Sequence, residues 1–74
     1  MGVSYCKLFK LMIDRKMKKK DLMQAAGISP SSMAKLGRDE YVSLEVLDKI
    51  CTALQVNIGD VMDVLLETKE QQDQ

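Results

Sequence analysis

Basic side chains concentrate in the first half of the chain, at a density that suits binding to a polyanion. Residues 1–38 contain nine lysines and arginines against two acids, a net charge of +7, whereas residues 39–74 carry −7. The densest group is Lys18-Lys19-Lys20, with Lys35 and Arg38 further along the chain. Such a distribution indicates a phosphate-rich partner such as nucleic acid. The alternative is that these charges only solvate the surface.

The residue types needed for catalysis or metal binding are missing from the sequence. There is no histidine, and the two cysteines, Cys6 and Cys51, do not form a Cys-x-x-Cys pair. The sequence contains neither a glycine-rich phosphate loop nor a carboxylate pair suited to acid–base catalysis. We therefore expect no enzyme activity, no cofactor, no metal ion and no small-molecule substrate. Cys51 falls on a predicted apolar helix face, where a cysteine usually acts as a small core residue.

Length and hydropathy predict one folded domain in the cytoplasm. A chain of 74 residues allows one core, and 46% of the residues are apolar, enough for that core to form. No apolar run approaches the ~18 residues of a membrane span, and the N-terminus does not resemble a signal peptide. We expect a domain over residues 1–66, a polar, frayed tail over residues 67–74, reduced thiols and no membrane contact.

Apolar residues recur at steps of three and four, the period of amphipathic helices. Five helices are predicted, at residues 4–17, 18–26, 30–36, 44–54 and from residue 57 to about residue 66. The residues predicted to begin or end them are Ser4, Gly27, Ser29, Pro30, Gly37, Ser43 and Asn57. The inward residues of the fifth helix are Ile58, Val61, Met62 and Leu65. Since no segment alternates apolar and polar residues as a half-buried strand would, the predicted fold class is all-α.

The segment from Lys19 to Leu36 reads as a helix, a glycine-containing turn and a second helix. This is the helix-turn-helix layout, in which the second helix enters the major groove of DNA and the first crosses the backbone. A pair of helices alone is a weak signal, because any small helical bundle contains one.

Short motifs in a fixed order make the chain resemble the phage-repressor and Cro-type, or Xre-like, helix-turn-helix family of small transcriptional regulators. The motifs are Leu22, Ala26-Gly27-Ile28-Ser29, Met33, Leu36, Ser43 to Val56, and Asn57 to Met62. The resemblance spans about Tyr5 to Leu65. It implies a five-helix, lambda-repressor-like domain, bacterial or phage-derived, that binds double-stranded DNA sequence-specifically. It also implies a cytoplasmic transcriptional repressor that is nucleoid-associated when bound, with activation left open.

The same resemblance assigns DNA contacts to individual residues. Base contacts fall on Pro30, Ser31 and Lys35. Phosphate contacts fall on Lys18, Lys19, Lys20, Ser29, Ser32 and Arg38. Each position has a structural alternative, since proline suits helix initiation and the serine and lysine side chains suit a solvated surface. Met23 departs from the family pattern, which usually has alanine there, and the lysines at the start of the second helix predict weak capping.

An apolar excess near the end of the chain predicts self-association. Val64 and Leu66 widen the apolar face of the fifth predicted helix beyond the need of a monomer. We expect a homodimer, because two half-sites about 34 Å apart double the DNA contacts. The alternative for the whole chain is a protein-binding module, such as an antitoxin or an antirepressor partner, whose acidic second half binds a basic protein.

Overall fold

A computed structural model describes residues 2–66 of the chain. Four α-helices make up most of this part: α1 (Cys6–Asp14), α2 (Lys19–Ala26), α3 (Pro30–Gly37) and α4 (Leu44–Leu54). A 3-10 turn follows at Ile58–Asp60, and two short strands, β1 (Gly2–Ser4) and β2 (Asp63–Leu65), pair with each other. The predicted tail, residues 67–74, lies outside the described residues.

The predicted starts of α3 and α4, and the predicted end of α2, are confirmed. The Ser29 side chain accepts a hydrogen bond from the Ser32 backbone N–H at 3.1 Å, and Ser43 accepts one from Val46 at 3.2 Å. These bonds satisfy N–H groups that have no partner inside the helix. Gly27 ends α2 in the left-handed region at φ +70°, where a glycine meets no steric penalty.

The first helix is shorter than predicted at both ends. Ser4 is the last residue of β1 rather than a helix cap, although its hydroxyl accepts a hydrogen bond from the Cys6 N–H at 3.3 Å. Tyr5 occupies the position before the helix. At the other end, Lys16 adopts a positive φ of +58°, which interrupts the right-handed helical backbone before Met17.

The predicted fifth helix is wrong. The segment makes only the 3-10 turn and then continues as β2, which pairs with β1 in antiparallel register, Val3 opposite Val64. Its backbone groups are therefore satisfied by the beginning of the chain instead of by a further helical turn. Of the residues predicted to face inward, Val61 is buried, whereas Ile58 and Leu65 are exposed. The fold is mostly helical with a small hairpin, and the five-helix, all-α prediction is corrected accordingly.

One apolar core connects the helices and the hairpin. Its largest fully buried side chains, each at most 1% exposed, are Tyr5, Leu8, Leu22, Leu36, Ile50 and Val61. Complete burial of such a side chain contributes about 1.5–3 kcal/mol relative to its exposure. Met23, at the position where the resembling family has alanine, is half-buried against this core. Because α2 and α3 both send residues into the core, their mutual orientation is fixed.

Neither a membrane-spanning helix nor a cluster of metal-binding side chains occurs in residues 2–66. No helix in this part is long and apolar enough to cross a membrane. The same residues contain no group of three His, Cys, Asp or Glu side chains that could hold a metal ion. Both cysteines are free thiols, Cys6 exposed and Cys51 half-buried against the core.

Candidate nucleic-acid interface

The connection between α2 and α3 is a tight turn built from backbone bonds. The N–H groups of Gly27 and Ile28 both donate to the Met23 carbonyl, at 2.8 and 3.2 Å. Ile28 is buried, so the turn is held against the core. Ser29 then caps α3. The helix pair therefore has the short, glycine-containing link that the helix-turn-helix layout requires.

The outward face of α3 carries the residues predicted to contact bases. Pro30, Ser31 and Lys35 are all exposed, whereas Met33 and Leu36 on the opposite face are buried. Ser31 and Lys35 are four residues apart, so they lie on the same side of the helix. All three predicted base-contacting residues are therefore accessible, and two of them, Ser31 and Lys35, share one side of α3.

The two serines at the start of α3 are partly used by the protein itself. The Ser29 hydroxyl oxygen accepts from the Ser32 N–H, and the Ser29 O–H donates to the Ser32 hydroxyl oxygen at 3.2 Å. Both hydrogen-bonding roles of Ser29 are therefore occupied by helix capping. The Ser32 hydroxyl proton is left to donate elsewhere, for which a phosphate oxygen is a suitable acceptor.

The lysine cluster lies at the start of α2. Lys18, Lys19 and Lys20 are exposed, and the Asp21 carboxylate accepts a hydrogen bond from the Lys18 N–H at 2.9 Å. This carboxylate satisfies the N–H of the N-cap residue, and its charge offsets the unfavourable meeting of lysines with the positive end of the helix dipole. No side chain accepts from the N–H groups of the first turn of α2, as the weak capping predicted from the lysines implies.

Lys19 reaches from α2 to the end of α3. Its ammonium nitrogen lies 3.9 Å from the place that a β-carbon would take on Gly37, the last residue of α3. Arg38 follows immediately. Two of the predicted phosphate contacts, Lys19 and Arg38, therefore lie near each other at the end of α3.

Arg38 is already paired within the protein. Its guanidinium donates to the Glu40 carboxylate from Nε at 2.6 Å and from Nη2 at 3.4 Å. The hydrogen bond lowers the pKa of the Glu40 carboxyl, and the charges of Arg38 and Lys35 lower it further. The sequence prediction did not include Glu40, although its place two residues after Arg38 is a signal that could have been noticed.

The loop after α3 is anchored by Tyr5, to which the sequence analysis assigned no role in the interface. The Tyr5 hydroxyl donates to the Glu40 carbonyl at 2.8 Å, and the Tyr5 N–H donates to the Asp39 carboxylate at 3.0 Å. Burial raises the pKa of this hydroxyl, and the Asp39 and Tyr41 charges add to the rise. Tyr5 is thus a positioning residue for the loop that carries Arg38.

Arg15, another cation of the basic half, has a structural role. Its Nη1 donates to the Leu54 carbonyl at 2.7 Å, at the end of α4, where carbonyl groups lack partners inside the helix. Arg15 therefore ties α1 to α4 and is separate from the lysine cluster.

The predicted self-association residues lie on the hairpin instead of on a helix. Val64, within β2, and Leu66, which follows β2, are 65% and 73% exposed. One edge of β2 pairs with β1, and the other edge has no partner among residues 2–66. An ion pair of 3.1 Å between Lys7 and Asp63 flanks this patch.

Comparison with known proteins gives two matches. The sequence profile of the Cro/C1-type helix-turn-helix DNA-binding domain matches residues 7–66. The crystal structure of the transcriptional regulator VanUg, Form II, is similar to this fold, with a TM-score of 0.84 and 53% sequence identity over 89% of this chain and 88% of that chain. None of the curated proteins compared with the chain matches it significantly.

Proposed function

The chain belongs to the Cro/C1-type helix-turn-helix DNA-binding domain family, and on this premise we propose that it regulates transcription by placing α3 in the major groove of duplex DNA. The observation that carries the proposal is the exposed face of α3, flanked by cations at the start of α2 and after α3. The 53% identity to a transcriptional regulator supports the same role.

The size and chemistry of α3 suit the major groove. Eight residues make a helix about 12 Å long. The major groove, about 12 Å wide, admits an α-helix, whose diameter with side chains is about 10–12 Å. Lys35 can donate to guanine O6 and N7, Ser31 can donate or accept, and Pro30 offers apolar contact to a thymine methyl. Sequence preference is assigned to these three side chains.

Phosphate contacts supply most of the affinity in this proposal. The cations Lys18, Lys19, Lys20 and Arg38, together with the Ser32 hydroxyl, face the backbone on either side of the groove. Each cation that neutralises a phosphate releases counterions, so the logarithm of the binding constant falls with the logarithm of salt by about 0.9 per contact. Such contacts fix the position on the duplex but carry no sequence information.

We further infer that two copies act together through the hairpin. Val64 and Leu66 form an exposed apolar patch beside the free edge of β2, and apolar patches of this kind mark association surfaces. A two-fold dimer presents two copies of α3 to half-sites about 34 Å apart. Binding over a promoter then represses transcription.

The experiment that tests DNA binding is a salt titration. The full chain is mixed with a labelled duplex of random sequence, and binding is followed by fluorescence anisotropy at increasing salt. We expect affinity to fall steeply, with a slope of about −0.9 for each phosphate contact. Absence of binding at low salt, or a slope near zero, would refute the proposal.

A second function, binding to a basic protein, is favoured by one separate observation. A groove of about 950 Å³ runs between α4 and the 3-10 turn, and Glu45, Asp48 and Asp60 line it beside the exposed Leu44 and Ile58. A basic amphipathic helix of an antitoxin or antirepressor partner is complementary to such a groove. This function gains support if duplex binding is absent in the salt titration.

A further inference from the structure

Glu40 is the acidic side chain that most directly opposes phosphate binding at the end of α3. No acid occurs from Ser29 to Arg38, and two follow, Asp39 and Glu40. The Asp39 carboxylate accepts the Tyr5 N–H. The Glu40 carboxylate instead lies on Arg38, the cation assigned to a DNA phosphate, and contacts it through two nitrogens.

The backbone holds Glu40 in this place. Its N–H donates to the Lys35 carbonyl at 2.9 Å, and its carbonyl accepts the Tyr5 hydroxyl at 2.8 Å. Because both main-chain groups are bonded, the carboxylate stays beside the end of the helix when its side chain rotates. A phosphate that approaches Arg38 therefore also approaches Glu40.

We propose that Glu40 competes with DNA phosphate for Arg38 and thereby lowers the affinity of the protein for duplex DNA of every sequence. This inference rests on the proposed DNA-binding function. A carboxylate and a phosphate oxygen satisfy the same guanidinium donors, in the same planar geometry. While the pair is closed its net charge is zero, so Arg38 contributes no counterion release when DNA binds.

The competition acts on non-specific binding as much as on specific binding, since phosphates are present at every site. An exposed ion pair changes affinities modestly, and relief of the competition should strengthen binding roughly two- to fivefold. The regained contact should also make the salt slope steeper by about 0.9. Glu40 thus limits how long the protein stays on DNA that lacks its preferred sequence.

The test compares Glu40→Gln with the parent chain on a labelled duplex of random sequence over a range of salt concentrations. Glutamine keeps the size of the side chain and leaves both main-chain bonds of residue 40 intact. We expect binding to be roughly two- to fivefold tighter and the salt slope to be steeper by about 0.9. The matched control is Glu45→Gln, which removes the acid of another exposed ion pair, Glu45 with Lys49 at 3.7 Å on α4, and should leave affinity near that of the parent.

A double variant identifies the target of the competition. In an Arg38→Ala background, Glu40→Gln should give a much smaller gain, because the contested cation is gone and only the repulsion between carboxylate and phosphate is relieved. An unchanged or weaker affinity of the single variant, or an equal gain with and without Arg38, would overturn the inference while the parent's salt slope still supports DNA binding. A parent chain that fails to bind at all would overturn the proposed function, and this inference with it.

Discussion

Lys35 and Lys19 are both exposed lysines of the helix pair, yet their positions predict different effects of substitution on DNA binding. Lys35 lies one turn beyond Ser31 on the outward face of α3, where an ammonium group reaches guanine O6 and N7. We expect Lys35→Ala to change which duplexes are enriched from a random pool and to weaken binding to the parent's preferred duplex by about tenfold. The measurement is selection from the pool, followed by titration of the enriched duplexes.

Lys19→Ala is the matched control for this prediction. Its ammonium lies over the end of α3, and a phosphate contact there is independent of sequence. The variant should weaken binding equally on all duplexes and make the salt slope shallower by about one unit. If both lysine variants enrich the parent's duplexes and bind them as the parent does, the assignment of contacts is wrong.

Tyr5 predicts a pH dependence of stability. Its buried hydroxyl has a pKa raised above 10.0, so the unfolded chain loses this proton at a lower pH than the folded chain. The associated stability is complete below pH 10 and is lost as the pH rises through the raised pKa. Tyr5→Phe should lower the free energy of unfolding by about 1 kcal/mol at neutral pH and should remove this part of the alkaline loss.

The measurement is urea unfolding of the Phe variant from neutral to alkaline pH. Tyr41→Phe is the control, because Tyr41 is 68% exposed and the same atom is removed. Cys51, whose thiol pKa is also raised by burial, contributes to the loss of stability at alkaline pH that remains in the Tyr5 variant. A Tyr5 variant with the parent's full pH dependence would contradict the assigned role.

At the scale of secondary-structure elements, α2, α3 and α4 were predictable because the interactions that bound them are local. Ser29 and Ser43 each accept a bond from three residues ahead, and Gly27 needs only its own positive φ. The hairpin was not predictable, since β1 and β2 come from opposite ends of the described chain. Three residues are also too few to show the alternation of a strand.

The candidate interface likewise has features that local sequence predicts and features that depend on contacts between distant residues. The lysine cluster and the outward face of α3 follow from residue type and helical period, which the sequence displays directly. The anchoring of the loop by Tyr5 joins residues 34 and 35 positions apart, and no local pattern indicates such a pair. Pairing of Arg38 with Glu40 depends on that anchored loop, so their spacing in the sequence suggests the pair but cannot establish it.

In the turn between α2 and α3, the backbone conformation of Gly27 alone predicts an effect of substitution on stability. Gly27 has φ +70°, and a β-carbon added there would meet no atom within 4 Å. Gly27→Ala should therefore destabilise the fold by about 1–2 kcal/mol through left-handed backbone strain, without a steric clash. Urea unfolding measures this loss.

Gly59→Ala serves as the control for that prediction. A β-carbon at Gly59 also meets nothing within 4 Å, and its φ is not in the left-handed range. Alanine there should be neutral or slightly stabilising, because it reduces the freedom of the unfolded chain. Equal losses at the two glycines would show that the conformation of the turn is not the cause.

Across the whole molecule, equal and opposite charges in the two halves of the sequence separate two kinds of surface. The basic half supplies α2, α3 and the cations around them, whereas the acidic half supplies α4 and its groove. A polyanion is attracted to the basic surface and repelled by the acidic surface, so the charges orient the protein as it approaches DNA. A net charge of zero is therefore compatible with the proposed function.

The hairpin is the proposed interface between two copies of the chain. Val64 is 65% exposed beside the free edge of β2, so a lysine there disturbs the core little but places two like charges together in a two-fold interface. Val64→Lys should shift the chain to monomers in sedimentation equilibrium and weaken binding to duplexes with two half-sites. Ile13→Lys, at a residue that is 74% exposed on α1, should leave both properties unchanged. A parent chain that stays monomeric at high concentration, or a Val64 variant that still forms dimers, would exclude the hairpin as the interface.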